Sequence, residues 1–431
     1  MTDNSLTDKT VTNTTKRQQA HTPAANAIDV LVAGAGPSGA IAAALLVQRG
    51  YNVVVLEKES FPRFSIGESL LPQCMQYIEE AGMLAAVHAG GFQYKCGAMF
   101  QHDGKFTEFD FRDKFSPGWG TTYQVERARF DKILADEAAR MGADIRYRHT
   151  ITAVDVDRDK PRVTVSDADG DSHTLEAAFL LDASGFGRVL PRLLDLNTPS
   201  DFPVRQAVFT HITDHIDPTT FDRNKILINV HPRERGIWYW LIPFSDGRCS
   251  LGVVAEQTIL NRYGDDEEKL LRTLVGEDAY LSELLADATY DYPARKITGY
   301  SANVSRLHGK GYALLGNAGE FLDPVFSSGV TIAMRSASMA AKLLDRQLKG
   351  ETVDWQTEFA QPLQKGVDTF RTFVTGWYDQ RFQDIIFHHN QQNDIRRMIS
   401  SILAGYAWDT DNPYVADSER RLSVLAKICQ A

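Results

Sequence analysis

Ile28-Asp29-Val30-Leu31-Val32-Ala33-Gly34-Ala35-Gly36-Pro37-Ser38-Gly39 is the stretch on which the fold of this 431-residue chain turns. Its first half is a short, mostly apolar run and its second half a Gly-rich turn. Ala40 to Gln48 follows with the composition of a helix ended by Gly50, and Val53 to Leu56 is a second apolar run of β-branched type. A strand–helix–strand unit of this kind builds a parallel sheet. Gly34, Gly36 and Gly39 permit a tight turn and close backbone approach to a pyrophosphate, and Pro37 and Ser38 open a helix whose N-terminal amides and dipole favour the anion. Glu57 closes the second strand about 20 residues on, where an acid accepts ribose hydroxyls, and Lys58 follows it. Strand, turn, helix and acid in this order read as a dinucleotide site. The motif does not separate NAD from FAD.

The rest of the chain sets limits on that reading. It carries 46 basic and 56 acidic residues, a net charge of −10, with no long Lys/Arg block, which argues against nucleic acid and anionic membrane as partners. No run of about 18 apolar residues exists, so no ordinary membrane span is expected. Cys74, Cys96, Cys249 and Cys429 form no CxxC pair, which speaks against a disulfide framework or structural zinc and fits a reducing cytoplasm. Residues 1–27 are polar and read as a disordered leader. Lys95 to Phe100 and Lys105 to Phe111 flank Asp103-Gly104, and Trp238 to Pro243 and Cys249 to Val254 flank Asp246-Gly247. Both are hairpin signals and point to an antiparallel sheet inserted in the α/β framework. Ala313 to Gly316 reads as a buried strand and Val330 to Leu344 as an Ala-rich helix. Beyond about residue 350 the chain looks helical, with Val367, Phe370, Val374 and Trp377 on one apolar stripe. The expected organisation is a dinucleotide framework at 28–200 and 295–348, an inserted β-sheet substrate region at 95–122 and 203–294, and a helical cover at 350–431.

Three later segments separate the two cofactors. Val125-Glu126-Arg127-Ala128-Arg129-Phe130-Asp131, Leu181-Asp182-Ala183-Ser184-Gly185, and Leu315-Gly316-Asn317-Ala318 with Asp323-Pro324 and Ser328-Gly329 occur in this order. From Ile28 to about Leu344 the chain resembles the FAD-dependent aromatic hydroxylase superfamily. That resemblance implies an α/β, Rossmann-like FAD-binding domain of the GR2 type, with Arg127 near the cofactor, Asp182 among its binding residues, and the Gly316 segment under the ribityl chain. Asn317 stands where the superfamily usually has Asp, and an amide still offers a donor and an acceptor there.

Within that superfamily, Trp238-Tyr239-Trp240-Leu241-Ile242-Pro243 resembles the WxWxIP strand of the flavin-dependent halogenases. Strand alternation puts Trp238, Trp240 and Ile242 on one face and Tyr239 and Leu241 on the other. Ile66-Gly67-Glu68-Ser69-Leu70-Leu71-Pro72 and Gly91-Phe92-Gln93-Tyr94-Lys95-Cys96-Gly97-Ala98 add to the resemblance, and Lys95 matches the catalytic lysine of the members acting on phenols and pyrroles. By itself, a lysine at a strand start would be an ordinary surface residue.

The resemblance implies that FADH2, O2 and a halide (chloride or bromide) generate hypohalous acid. The halide would be held by backbone amides of Ser328 and Gly329, and the oxidant passed to Lys95. Trp238 and Trp240 would keep the substrate from the flavin, and a separate NAD(P)H-dependent flavin reductase would supply electrons. Phe326 occupies the place where tryptophan halogenases carry a glutamate, which disfavours free tryptophan and favours an already activated phenol, resorcinol or pyrrole, free or on a carrier protein. The alternative is a single-component FAD monooxygenase. His211 and His215 are read as structural or exposed loop residues, because no Glu completes a zinc signature; no metal is expected.

Overall fold

The computed structural model describes residues 27–389 and 392–430; nearly all of the polar leader lies outside them. The opening stretch forms the strand Ile28–Ala33 and the helix Pro37–Val47, and Val53–Glu57 is the next strand. Ile28–Ala33 is flanked in parallel by Val53–Glu57 and by Ser172–Asp182, with Val30 opposite both Val53 and Phe179. Asp144–Tyr147 extends the sheet beyond Val53–Glu57, and Tyr312–Leu314 extends it beyond Ser172–Asp182. Valines and leucines fill these strands because both faces are covered, one by helices and the other largely by the strands Thr150–Asp155 and Arg162–Ser166 with the short helix Val189–Leu193.

Close backbone approach holds the first unit together. Gly34 sits at φ +94°, a left-handed conformation open to glycine, and a Cβ there would lie 2.7 Å from the carbonyl oxygen of Ala183. A Cβ on Gly39 would fall inside the carbonyl oxygen of Gly34. The helix therefore settles on the strand turn, and its residues from Pro37 to Leu46 are all buried. It packs against the long helix Ser328–Leu348 and against Arg127–Met141. A similar approach fixes Gly316, where a Cβ would be 2.8 Å from Cα of Ala333.

The second sheet has seven strands, in the order Arg295–Thr298, Arg205–Thr213, Arg248–Glu256, Trp238–Pro243, Lys225–Val230, Gly97–His102 and Lys105–Asp110. All neighbours are antiparallel except Lys225–Val230 with Gly97–His102. Strand Arg295–Thr298 carries this sheet past the boundary expected at 294. The expected alternation is present: Trp238, Trp240 and Ile242 join the core shared with the first sheet, while Tyr239 and Leu241 join a separate core under the helices Glu267–Glu277 and Ala279–Leu284. Lys95 is not in the hairpin. It ends a three-residue strand, Gln93–Lys95, paired with Thr122–Gln124, and the chain breaks step at Cys96 before the hairpin begins at Gly97.

Beyond residue 350 the structure is helical, through Gln361–Tyr378, Arg381–Ile386, Asn393–Leu403 and Ser418–Gln430. Val367, Phe370, Val374 and Trp377 are all buried, the stripe expected from their spacing. No helix among the described residues is long and apolar enough to cross a membrane.

Because the clash at Gly39 is with backbone, no rotamer change relieves it. We expect Gly39→Ala to lower the unfolding free energy by about 1–3 kcal/mol, read as a fall in urea midpoint at unchanged m-value.

Candidate functional site

A cavity of about 440 Å³ runs between the two sheets. At one end it is walled by the Gly34–Ser38 turn and by Glu57 and Lys58; at the other it reaches Trp238, Trp240 and Ile242. Glu57 is buried and already engaged, its Oε2 accepting the amide of Ala35 at 2.9 Å and its Oε1 the amide of Glu59 at 3.0 Å. Lys58 is exposed. Arg127 borders the cavity from the start of its helix. Its Nε and Nη2 donate to Asp131 and its Nη1 to the carbonyl of Ile66 at 2.6 Å, so the guanidinium is fixed by protein partners on two sides.

The far wall fits a cofactor. Asn317 lines it with a buried Oδ1 that has no partner among the described residues. A buried polar atom left unmet is costly and calls for a ligand or water. Next to it, the helix Ser328–Leu348 begins without a side-chain cap, from Ser327 in a left-handed conformation at φ +54°. Its first-turn amides therefore keep their capacity for an anion. Gly329 lines the cavity, and a Cβ there would crowd the Phe321 ring at 3.1 Å.

Asp182 stands apart. Its buried carboxyl accepts the amides of Ser184 at 2.9 Å and Leu190 at 2.7 Å and does not line the cavity, whereas Ala183 to Gly187 do. Gly39, Gly316 and Ser328 likewise lie behind the wall. They position its neighbours.

Lys95 is 1% exposed and sits one residue behind the cavity surface. Its Nζ donates to Oγ of Ser69 at 2.7 Å and to the carbonyl of Leu70 at 2.8 Å, and Phe111 offers its ring face at 5.5 Å. Burial lowers its pKa to about 7, with the Cys74 and Cys96 sulfurs acting weakly the other way. Ser69, whose hydroxyl accepts from the amine, does line the cavity.

Trp240 donates its indole N–H to Oγ of Ser250 at 3.0 Å. Trp238 donates to the hydroxyl of Tyr378 at 3.0 Å, and Tyr378 in turn donates to Asp323 at 2.9 Å. Asp323 is buried in the cavity wall, and burial, partly offset by the Arg205 guanidinium, raises its pKa to about 6. Phe326 fills the place of the missing acid and packs edge-on against Trp377 and Phe382. His211 is not in a loop. It lies in the strand Arg205–Thr213, and its Nε2 is 2.6 Å from Glu68 in the cavity wall.

Residues 27–360 match the FAD binding domain family. The chain belongs to that family. Among its curated relatives, a tryptophan 2-halogenase of Chondromyces crocatus is 32% identical over 345 residues, which are 78% of this chain and 65% of that protein. The 1H-pyrrole-2-carbonyl-[peptidyl-carrier protein] chlorinase of Pseudomonas fluorescens is 26% identical over 432 residues, covering 93% of this chain and 92% of the relative. A solved flavoprotein/dehydrogenase from Cytophaga hutchinsonii superposes with a TM-score of 0.91 at 45% identity, over 94% of this chain and 99% of its own. Both curated relatives are halogenases by name, and the solved neighbour is a flavoprotein/dehydrogenase.

Two expectations follow from the Trp238–Tyr378–Asp323 chain. Tyr378→Phe strands a buried indole N–H and removes a donor from Asp323, so it should cost about 1–3 kcal/mol, read by urea unfolding. Because Asp323 titrates higher in the folded protein than its ordinary value near 3.8, its contribution is greatest below about pH 4 and is lost as pH rises through about 6. Asp323→Asn should therefore flatten the decline in stability between pH 4 and 6.

Proposed function

We propose that this protein halogenates an electron-rich aromatic ring (a phenol, resorcinol or pyrrole, free or carried on a carrier protein) using FADH2, O2 and chloride or bromide, with a separate NAD(P)H-dependent flavin reductase in the cytoplasm. The observation that carries the reading is Lys95. A lysine sealed from water, with no carboxylate partner among the described residues and a pKa brought to about 7, is a group kept partly as the free amine near neutrality. An amine with that property is suited to capture an electrophilic halogen and unsuited to an ordinary structural ion pair.

Bound reduced flavin would supply the electrons that make oxygen reactive toward halide. The Gly34–Ser38 turn and Glu57 would hold the adenosine end, and Asn317 the ribityl region. The amides of Ser328 and Gly329 would hold the halide without a buried cation. At Lys95 the neutral amine would attack hypohalous acid, forming the N–X bond as X–O breaks, with water leaving. Trp238 and Trp240 would wall the substrate off from the flavin, so that the halogen, rather than oxygen, reaches the ring. The 26%-identical pyrrole chlorinase supports a carrier-borne substrate among the candidates.

The likeness to a flavoprotein/dehydrogenase supports a second reading, an FAD enzyme that takes electrons directly from a nicotinamide, as a single-component monooxygenase does. The test uses purified protein with a flavin reductase, halide, and phenol, resorcinol or a carrier-bound pyrrole, with products read by mass. A halogenated product that needs the reductase supports the proposal, whereas rapid flavin bleaching by NADPH alone sinks it. Lys95→Met should lower product formation about a hundredfold or more while FAD stays bound. In the unmodified protein the rate should rise with pH through about 7, because the neutral amine is the form above that value.

A further inference from the structure

The sequence supplies no acid next to the Ser328-Gly329 turn, yet the cavity wall contains one from a different element. Glu68 is 1% exposed and lines the cavity. Its Oε1 is 2.6 Å from Nε2 of His211, and its Oε2 is buried with no partner among the described residues. A carboxylate with one oxygen held and the other idle is costly as structure alone.

Its surroundings point to the ring of the substrate. His211 pairs across the second sheet with Ser250, and Ser250 with Ile242, so His211 belongs to the row that ends at a cavity-lining side chain of the tryptophan strand. The next residue after Glu68 is Ser69, whose hydroxyl accepts a hydrogen bond from the Lys95 amine. Glu68 and the hydroxyl that accepts the Lys95 hydrogen bond thus belong to adjoining residues of one short segment, and both line the cavity whose far end carries the indoles. His211, with 16% of its side chain exposed, fixes the carboxylate from behind.

Resting on the function proposed above, we propose that Glu68 is the base that removes the ring proton during halogen transfer, and that His211 is a positioning residue that turns its free oxygen toward the substrate. In that step the ring attacks the halogen on Lys95. The C–X bond forms, the N–X electrons stay on the lysine nitrogen, and that nitrogen takes a proton from water. The ring proton passes to Oε2 of Glu68, the C–H electrons restore aromaticity, and the carboxylic acid gives its proton to water when product leaves. One proton is taken up and one is released.

The test uses the full-length protein with FAD, a flavin reductase, bromide, and phenol in ordinary and ring-deuterated form, with monochlorodimedone as a scavenger of free hypohalous acid in parallel runs. Glu68→Gln should lower bromophenol formation about a hundredfold, introduce a primary isotope effect absent from the unmodified protein, and raise scavenger halogenation as unused oxidant escapes. His211→Leu should follow Glu68→Gln, whereas His211→Gln, which keeps a donor, should recover much of the rate. The proposal is overturned if Glu68→Gln keeps the original rate, if the product falls with no isotope effect, or if scavenger signal and product fall together, the last placing Glu68 with the cofactor. A lack of bromophenol formation by the unmodified protein with reductase and bromide overturns the halogenase reading along with it.

Discussion

Backbone packed against backbone is the constraint from which the rest of this molecule follows. Where Gly39 meets the carbonyl of Gly34 there is no space for a methyl group, and Gly316 repeats the condition against Ala333. Together they fix the buried helix Pro37–Val47 on the strand turn and bring the helix Ser328–Leu348 alongside it. One consequence is geometric: the amide-rich starts of two helices face one cavity from different sides. An anion-tolerant wall is thereby made from peptide groups, which cannot be titrated away and need no charged side chain.

The second constraint is the two-sided tryptophan strand. Six consecutive buried residues, Trp238 to Pro243, divide between two cores by simple alternation. Gly252 on the neighbouring strand leaves room for the indole of Trp240, which a Cβ there would strike. The cavity face of this sheet is therefore largely apolar, and two of its polar groups, Ser250 and His211, have assigned partners.

Much of this was legible in the residue order. The first strand is placed to the residue, and the tryptophan strand, the two-face alternation and the helical end are as the periodicities imply, because each is governed by local patterning. The errors arose where distant segments meet. Lys95 reads as the start of a hairpin because the apolar run is continuous, but pairing with Thr122–Gln124 takes it into a separate strand. His211 reads as a structural or exposed residue in a loop, whereas it lies in a strand, and nothing nearby in sequence discloses Glu68, which lies 143 positions earlier. Asp182 stands in a segment that resembles a cofactor motif, and its carboxyl accepts amides of the turn that follows it. Glu68 stood inside a quoted motif without a role. A buried acid between glycine and serine in an otherwise apolar segment was the one signal that could have singled it out.

The hydroxyl of Tyr378 reaches Trp238 across 140 positions of sequence. The helical end of the chain is thus a structural member of the inner wall and not a cap laid over a finished enzyme. Substitutions beyond residue 360, where the match to the FAD binding domain family ends, act directly on an indole of the cavity wall. The inner wall can therefore be reshaped from the chain's end while every cofactor motif stays the same.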